Sequence, residues 1–295
     1  MEIKVLGPLH AAVNGVSIVP TAGKPRQVLA LLALHPSRVV SVATLMEEIW
    51  GNQPPRSAMT TLQTYMLQLR RCLSTAMGPD AAGAAKEILA TRHGGYLLRT
   101  SPESVDAQTF EHLAAEGQKA FDAGEDERAA RCFRQALTLW QGPALVDVRR
   151  GPVLAIEVLR LEQARLVTVE RRIDADLRLG RHAELTAELT ELTARHPQHE
   201  GLHAQAMVAL YRSGRQASAL DIYRKMRERL IEELGVEPSP QLQRLHQAIL
   251  AVDPDLDVVA GPRRGSTFDR YAAWSPPGVH WTQDANTCGS ALSTR

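Results

Sequence analysis

Residues 45–73, LMEEIWGNQPPRSAMTTLQTYMLQLRRCL, decide the fold. At 100° per residue, Leu62, Met66, Leu69 and Leu73 fall in one narrow stripe, while Ser57, Thr60, Thr64, Gln68 and Arg71 fall near the opposite side. The period predicts a helix that opens at Pro54-Pro55 and runs to about Ser74, packed on one face and offering short polar side chains on the other. Just before it, Val42, Leu45, Met46 and Ile49 share one face of a shorter helix, capped by Ser41 and closed by Gly51.

Upstream, Val28, Leu29, Leu31, Leu32 and Leu34 give an apolar helix from Lys24 to Leu34, with Pro25 in its first turn and Pro36 beyond its end. Residues 2–20 break into short β-favouring pieces around Gly7-Pro8 and Asn14-Gly15, the second a strong hairpin signal. Downstream, residues 76–86 read as a loop rich in Ala and Gly. EILAT and YLLRT then flank Arg92-His93-Gly94-Gly95 as a second hairpin with a basic tip.

Strands, three helices of which the last is long and polar on one side, and a basic-tipped hairpin form the order of a winged helix-turn-helix. Such a head sets one helix into the major groove and lets the wing reach an adjacent groove or the backbone. The candidate contacts on the long helix and its entry are Arg56, Ser57, Thr60, Thr61, Thr64, Gln68, Arg70 and Arg71. Hydroxyls and amides bond base edges, and Arg bonds guanine or phosphate; Arg56 and Arg70 lie towards the flanks and read as phosphate contacts. Taken by periodicity alone, the same face also fits a solvated helix surface. Arg92, with Gly94 permitting a tight tip, is the wing candidate, against an ordinary solubilising turn. Lys24 and Arg26 begin the first helix, whose N-terminus favours anions; an exposed pair without a partner is the alternative.

Charge fits a polyanion partner for the head. Residues 1–100 hold ten Lys and Arg against five Asp and Glu, so of the chain's net +1 the remaining residues carry −4.

From Val105 to about Leu250 the pattern is helical throughout. Gly124 is followed by Ala129 and Phe133, Gly180 by Leu185 and Leu189, and Gly214 by Ala219 and Tyr223, always at offsets of five and nine. Gly180 and Gly214 stand 34 residues apart, the tetratricopeptide spacing, and the long amphipathic stretch Val153 to Leu179 makes the array irregular. Phe133, Trp140, Leu161, Leu185, Tyr211 and Tyr223 read as core, with a concave peptide-gripping surface as the alternative. The fold class is therefore mainly α: an N-terminal winged helix-turn-helix, itself α+β, followed by an all-α tetratricopeptide-like domain. The expected segments are 1–100, 105–250 and a disordered tail, 251–295. Its Phe268, Tyr271, Trp274 and Trp281 are the alternative of a docking segment.

The head sequence, together with TRHGGYLL at 91–98, resembles the DNA-binding domain of the SARP family of transcriptional activators, a variant of the OmpR-type winged helix. The resemblance rests on Trp50-Gly51, on P-x-x-A-x-x-x-L-Q-x-Y-x-x-x-L-R-R from Pro55 to Arg71, and on the Gly94-Gly95-Tyr96 wing, in order and spacing. The helical segment, through EELGVEPSPQLQRLHQAIL, resembles the bacterial transcriptional activation domain, so the likeness covers roughly residues 1–250. It implies a pathway-specific activator of a secondary-metabolite (antibiotic) gene cluster. Such an activator binds direct repeats near a promoter as a side-by-side dimer and recruits RNA polymerase through its σ and α subunits. A tetratricopeptide-like adaptor whose winged head does not bind DNA is the competing reading.

Other classes are disfavoured by what the sequence lacks. The N-terminus does not read as a signal peptide, and no run approaches the length of a membrane helix, so a cytoplasmic, nucleoid-associated location is expected. Cys72, Cys132 and Cys288 are far apart and odd in number, which argues against a disulfide framework. His196, His199 and His203 invite a metal reading, but His196 and His199 flank Pro197 at a helix junction and no Cys or carboxylate set accompanies the three. With no phosphate-binding loop, nucleophile elbow or zinc-protease motif, neither an enzyme nor a cofactor is expected.

Overall fold

The computed structural model describes residues 1–78 and 81–257. The head opens with β1 (Glu2–Lys4), β2 (His10–Val13) and β3 (Val16–Ser17), an antiparallel sheet in that order. Val13 pairs with Val16, so Asn14 and Gly15 form a two-residue turn; both have positive φ, 53° and 80°, as the tightest hairpins require. Helix α1 (Gly23–Leu34) follows and is buried on nearly all sides. Helix α2 (Val42–Trp50) starts where Ser41 Oγ accepts the Thr44 N–H at 3.0 Å.

A strand that the sequence reading omits, β4 (Val39–Ser41), lies between those helices. The long helix is α3 (Ala58–Met77), starting later than its prolines suggest, because Pro54-Pro55 disfavours helical backbone before it and the Ala58 N–H closes a turn on the Pro55 carbonyl. The expected loop at 76–86 is largely helical: α3 reaches Met77 and α4 (Ala82–Ile88) follows, an alanine-rich segment of high helix propensity that buries Ala85. The wing is β5 (Leu89–Arg92) and β6 (Gly95–Leu98), with β6 central between β4 and β5. A Cβ on Gly95 would stand 2.3 Å from the Val40 carbonyl oxygen, so the pairing of β4 with β6 requires glycine there.

Helices α5 (Asp106–Asp122), α6 (Asp126–Thr138) and α7 (Pro152–Arg178) complete the first compact unit, Met1–Gly180. The head and these helices share one core cluster, in which Ile3, Val5 and Leu6 pack with Phe110, Trp140, Leu145, Leu154 and Leu161, while Phe121 and Phe133 belong to a second cluster among α5, α6 and α7. Backbone bonds seal the junction: the Gln141 N–H donates to the Leu6 carbonyl at 2.8 Å and the Leu145 N–H to the Val5 carbonyl at 3.0 Å. The Asp106 carboxylate accepts the Val5 and Leu6 N–H groups at 2.9–3.1 Å. Burial pushes its pKa up, and those N–H donors oppose the shift.

The second unit begins at Arg181 and holds α8 (His182–Arg195), α9 (Glu200–Arg212), α10 (Gln216–Leu234) and α11 (Pro240–Leu250). Gly124, Gly180 and Gly214 end helices with φ of 77°, 76° and 73°, and the apolar residues five and nine places on are buried in all three cases. The repeat is thus a structural period, the same turn made three times. The helical unit extends past Leu250 to a 3-10 turn at Pro254–Leu256, where Leu256 is buried and its carbonyl accepts Arg212 Nε at 2.7 Å. The rest of the expected tail, with its four aromatic residues and Cys288, lies outside the described residues.

Because the core crosses residue 100, a fragment ending at Thr100 is expected to lose cooperative unfolding and to bind a hydrophobic dye, whereas one ending at Gly180 unfolds cooperatively. Each large apolar side chain left exposed forfeits about 1.5–3 kcal/mol. Thermal unfolding followed by circular dichroism checks this; a cooperative transition of the short fragment at the temperature of the longer one would contradict it. Gly95→Ala is expected to lower the same transition by displacing β4 from β6.

Candidate nucleic-acid interface

Helix α3 buries Ala58, Leu62, Met66, Leu69, Leu73 and Ala76. That stripe turns Thr60, Thr64 and Arg71 to solvent, with Thr61 and Gln68 half-buried at the edge of the exposed face. Thr61 Oγ1 donates to the Ser57 carbonyl at 2.9 Å and Thr64 Oγ1 to the Thr60 carbonyl at 3.0 Å, which leaves both hydroxyl oxygens as acceptors. Leu67 is 48% exposed on the same side. Arg56 and Ser57 precede the helix and are exposed, and Ser57 stands at its N-cap without a side-chain bond to the first turn.

Two of the expected phosphate contacts, Arg70 and Arg26, also have partners inside the protein. Arg70 Nε and Nη2 donate to the Leu89 carbonyl at 2.9 and 2.8 Å, and Nη2 also to Thr91 Oγ1 at 2.9 Å. The guanidinium ties α3 to β5 and fixes the wing against the long helix. Arg26 Nε donates to the Pro20 carbonyl at 3.1 Å, and Nη1 pairs with Asp147 Oδ2 at 3.2 Å, so this side chain holds the α6–α7 segment to α1. Spacing along one helix could not reveal either partner, since each comes from an element distant in sequence.

The remaining expected cations are exposed, and among the described residues Lys24, Arg56, Arg71 and Arg92 make no ion pair. Arg92 ends β5 at the wing tip, where Gly94 turns the chain with φ of 73°. Lys24 Nζ lies 5.2 Å from the centre of the Trp50 ring, which stacks on Tyr65 of α3 at 6.4 Å between centroids. The polar face of α3 is therefore bordered on one side by Arg70 and the wing and on the other by Tyr65, Trp50 and Lys24. A helix carrying hydroxyls, an amide and a free guanidinium between two cationic flanks can enter a major groove and meet the phosphates on both of its walls.

The histidines offer no competing centre. Burial holds His196, His199 and His203 below the ordinary imidazole pKa, and among the described residues no group of three or more His, Cys, Asp or Glu is placed to hold a metal ion. No helix among those residues is long and apolar enough to cross a membrane.

Comparison with known proteins identifies both segments. Residues 18–98 match the family described as "Transcriptional regulatory protein, C terminal", and residues 105–250 match "Bacterial transcriptional activator domain". The chain is 55% identical over 257 residues to the regulatory protein DnrI of Streptomyces peucetius, covering 87% of this chain and 94% of that one. It is 38% identical to the transcriptional regulator RedD of Streptomyces coelicolor, covering 88% of this chain and 73% of the relative. Against the regulatory protein AfsR of Streptomyces griseus the identity is 40%, over 87% of this chain but only 25% of that longer protein. A solved structure of Mycobacterium tuberculosis EmbR, in complex with a low-affinity phosphopeptide, superposes with a TM-score of 0.80 at 30% identity, covering 92% of this chain and 67% of that one. These relatives are regulators along nearly the whole of this chain, which supports the DNA-binding reading over the adaptor. With a winged head whose long helix exposes a polar face, continued by a matched activator domain, and with these relatives, the chain belongs to the SARP family of transcriptional activators.

Proposed function

We propose that the chain is a cytoplasmic, nucleoid-associated activator that reads a specific promoter sequence upstream of a secondary-metabolite (antibiotic) gene cluster. Helix α3 enters the major groove, with Thr60, Thr64, Gln68 and Arg71 facing base edges and Arg56, Ser57 and Thr61 beside them. Arg92 on the wing and Lys24 on the other flank meet phosphates. Two protomers bind direct repeats side by side, and the complex recruits RNA polymerase through its σ and α subunits. A coupling of about 1–3 kcal/mol between activator and polymerase suffices to raise promoter occupancy several-fold to roughly a hundredfold.

The observation that carries this reading is the pairing state of the head's cations. Arg26 and Arg70 already bond Asp147, the Pro20 carbonyl, the Leu89 carbonyl and Thr91, whereas Arg71 and Arg92 stand exposed at the helix face and wing tip with no ion pair among the described residues. An exposed cation with no intramolecular partner is free to displace counterions from a duplex.

Fluorescence anisotropy with a promoter duplex at two salt concentrations tests the assignment. Arg71→Ala is expected to cost about 1–3 kcal/mol of specific binding and to narrow the gap between promoter and random duplex. Arg92→Ala should reduce the salt slope by about 0.9. Neither change should move the thermal transition, whereas Arg70→Ala should lower it by freeing the wing from α3. Binding of both duplexes by the Arg71 and Arg92 variants as tightly as by wild type would contradict the proposed interface.

A further inference from the structure

We infer that the segment joining α6 to α7 adds a second phosphate-binding site to the DNA interface, in which Arg149 and Arg150 act with Lys24 on the flank away from the wing. The inference rests on the DNA-binding reading above and extends it from the head into the activator domain.

The three cations line one cleft of about 330 Å³, together with Trp50, Gly51 and Pro152. Arg149 and Arg150 are exposed and, like Lys24, make no ion pair among the described residues. Their placement is fixed from both sides. Two residues before Arg149, Asp147 accepts the Leu9 N–H at 2.7 Å and pairs with Arg26 at 3.2 Å. Immediately after Arg150, the Gly151 N–H donates to Glu48 Oε1 at 2.7 Å, and a Cβ on Gly151 would collide with the Glu48 carbonyl oxygen at 1.9 Å. Between these anchors Val148 turns inward and is buried, leaving the two arginines on the outer side.

The Glu48 carboxylate, which lines the same cleft, makes no ion pair with them and leaves the lining at a formal +2, three cations less one carboxylate. Glu48 Oε1 accepts Gln27 Nε2 at 2.6 Å as well as the Gly151 N–H, and Oε2 accepts the Leu154 N–H at 2.8 Å, so its oxygens are engaged by the amide and the first turn of α7. The N-terminus of α1 opens at the same place with no acidic residue in its first turn and no side-chain cap. The excess positive charge held in one cleft favours the entry of an anion.

Position selects a duplex phosphate. The cleft includes Trp50, which stacks on Tyr65 of α3, so it borders the recognition helix on the side opposite Arg70 and β5. A helix seated in a major groove has a phosphate strand along each wall. The wing serves one wall; Lys24, Arg149 and Arg150 serve the other.

The test uses the full chain, a labelled duplex of the promoter adjoining the native gene, and a random duplex of equal length. Arg149→Gln/Arg150→Gln is expected to weaken both duplexes alike, to leave the preference between them unchanged, and to reduce the salt slope by about 0.9 for each phosphate no longer neutralised. Arg149→Lys/Arg150→Lys should restore the slope, and both variants should unfold at the wild-type temperature, since the replaced side chains are exposed. Unchanged affinity and slope in the Gln variant, while Arg92→Ala lowers both, would overturn this inference and leave the proposed function standing. Reduced transcription at matched occupancy with an unchanged slope would overturn it too, by assigning the cleft to an acidic protein surface. A wild-type chain that shows no salt-dependent binding would instead defeat the DNA-binding reading itself.

Discussion

The buried carboxylate of Glu48 is the interaction on which the first unit turns. It sits on α2, 2% exposed, yet its partners are the backbone of α7 more than a hundred residues away and the amide of Gln27 on α1. Taking a carboxylate out of water costs several kcal/mol. Three N–H donors and the N-terminal end of a 27-residue helix offset that cost, each charge-assisted bond contributing about 1.5–3 kcal/mol. Without those donors the charge would be stranded in the core, so α2 and the start of α7 are obliged to stay together. Asp106, on the N–H groups that follow β1, and Asp147, on that of Leu9, repeat the device: each is a carboxylate from the activator domain closing N–H groups of the head. The winged head is thereby completed by the helices that follow it.

That constraint explains how the interface is built. Arg26 and Arg70 serve the frame: one joins α1 to the α6–α7 segment, the other fixes the wing to α3. Of the cations singled out in the sequence, Arg56, Arg71 and Arg92 make no ion pair among the described residues, and Lys24 meets only the Trp50 ring; Arg71 lies on the polar face of α3. Hydroxyls, an amide and the Arg71 guanidinium lie on that face with Arg92 and Lys24 at its borders, the arrangement on which the proposed base and phosphate contacts rest.

Much of this was legible in the sequence, and the exceptions share a cause. The stripe Leu62, Met66, Leu69, Leu73, the Ser41 cap, the Asn14-Gly15 turn and the glycine-led repeats are local signals, and the structure carries each of them. Strand β4 was not legible because two valines are too short to show a period and their partner, β6, lies more than fifty residues on. The fates of Arg26 and Arg70 were not legible because an exposed-looking cation and a clamped one have the same spacing on a helix wheel. Glu48 fits the buried face of α2 by position but a surface residue by charge, and only the distant N–H groups of α7 resolve that conflict. The packing across residue 100 was not legible either: one core cluster holds Ile3 and Leu62 together with Phe110, Leu154 and Leu161, which local periods cannot show.

The central claim is that the DNA-binding head and the first three helices of the activator domain are one cooperative body. Native-state hydrogen exchange across a denaturant series measures it directly. The slowest amides of α3, such as those of Met66 and Leu69, should share one opening free energy and one denaturant dependence with those of Phe110 on α5 and Leu161 on α7. Separate opening of the head, with its amides exchanging at a lower free energy while α5 and α7 stay protected, would contradict it.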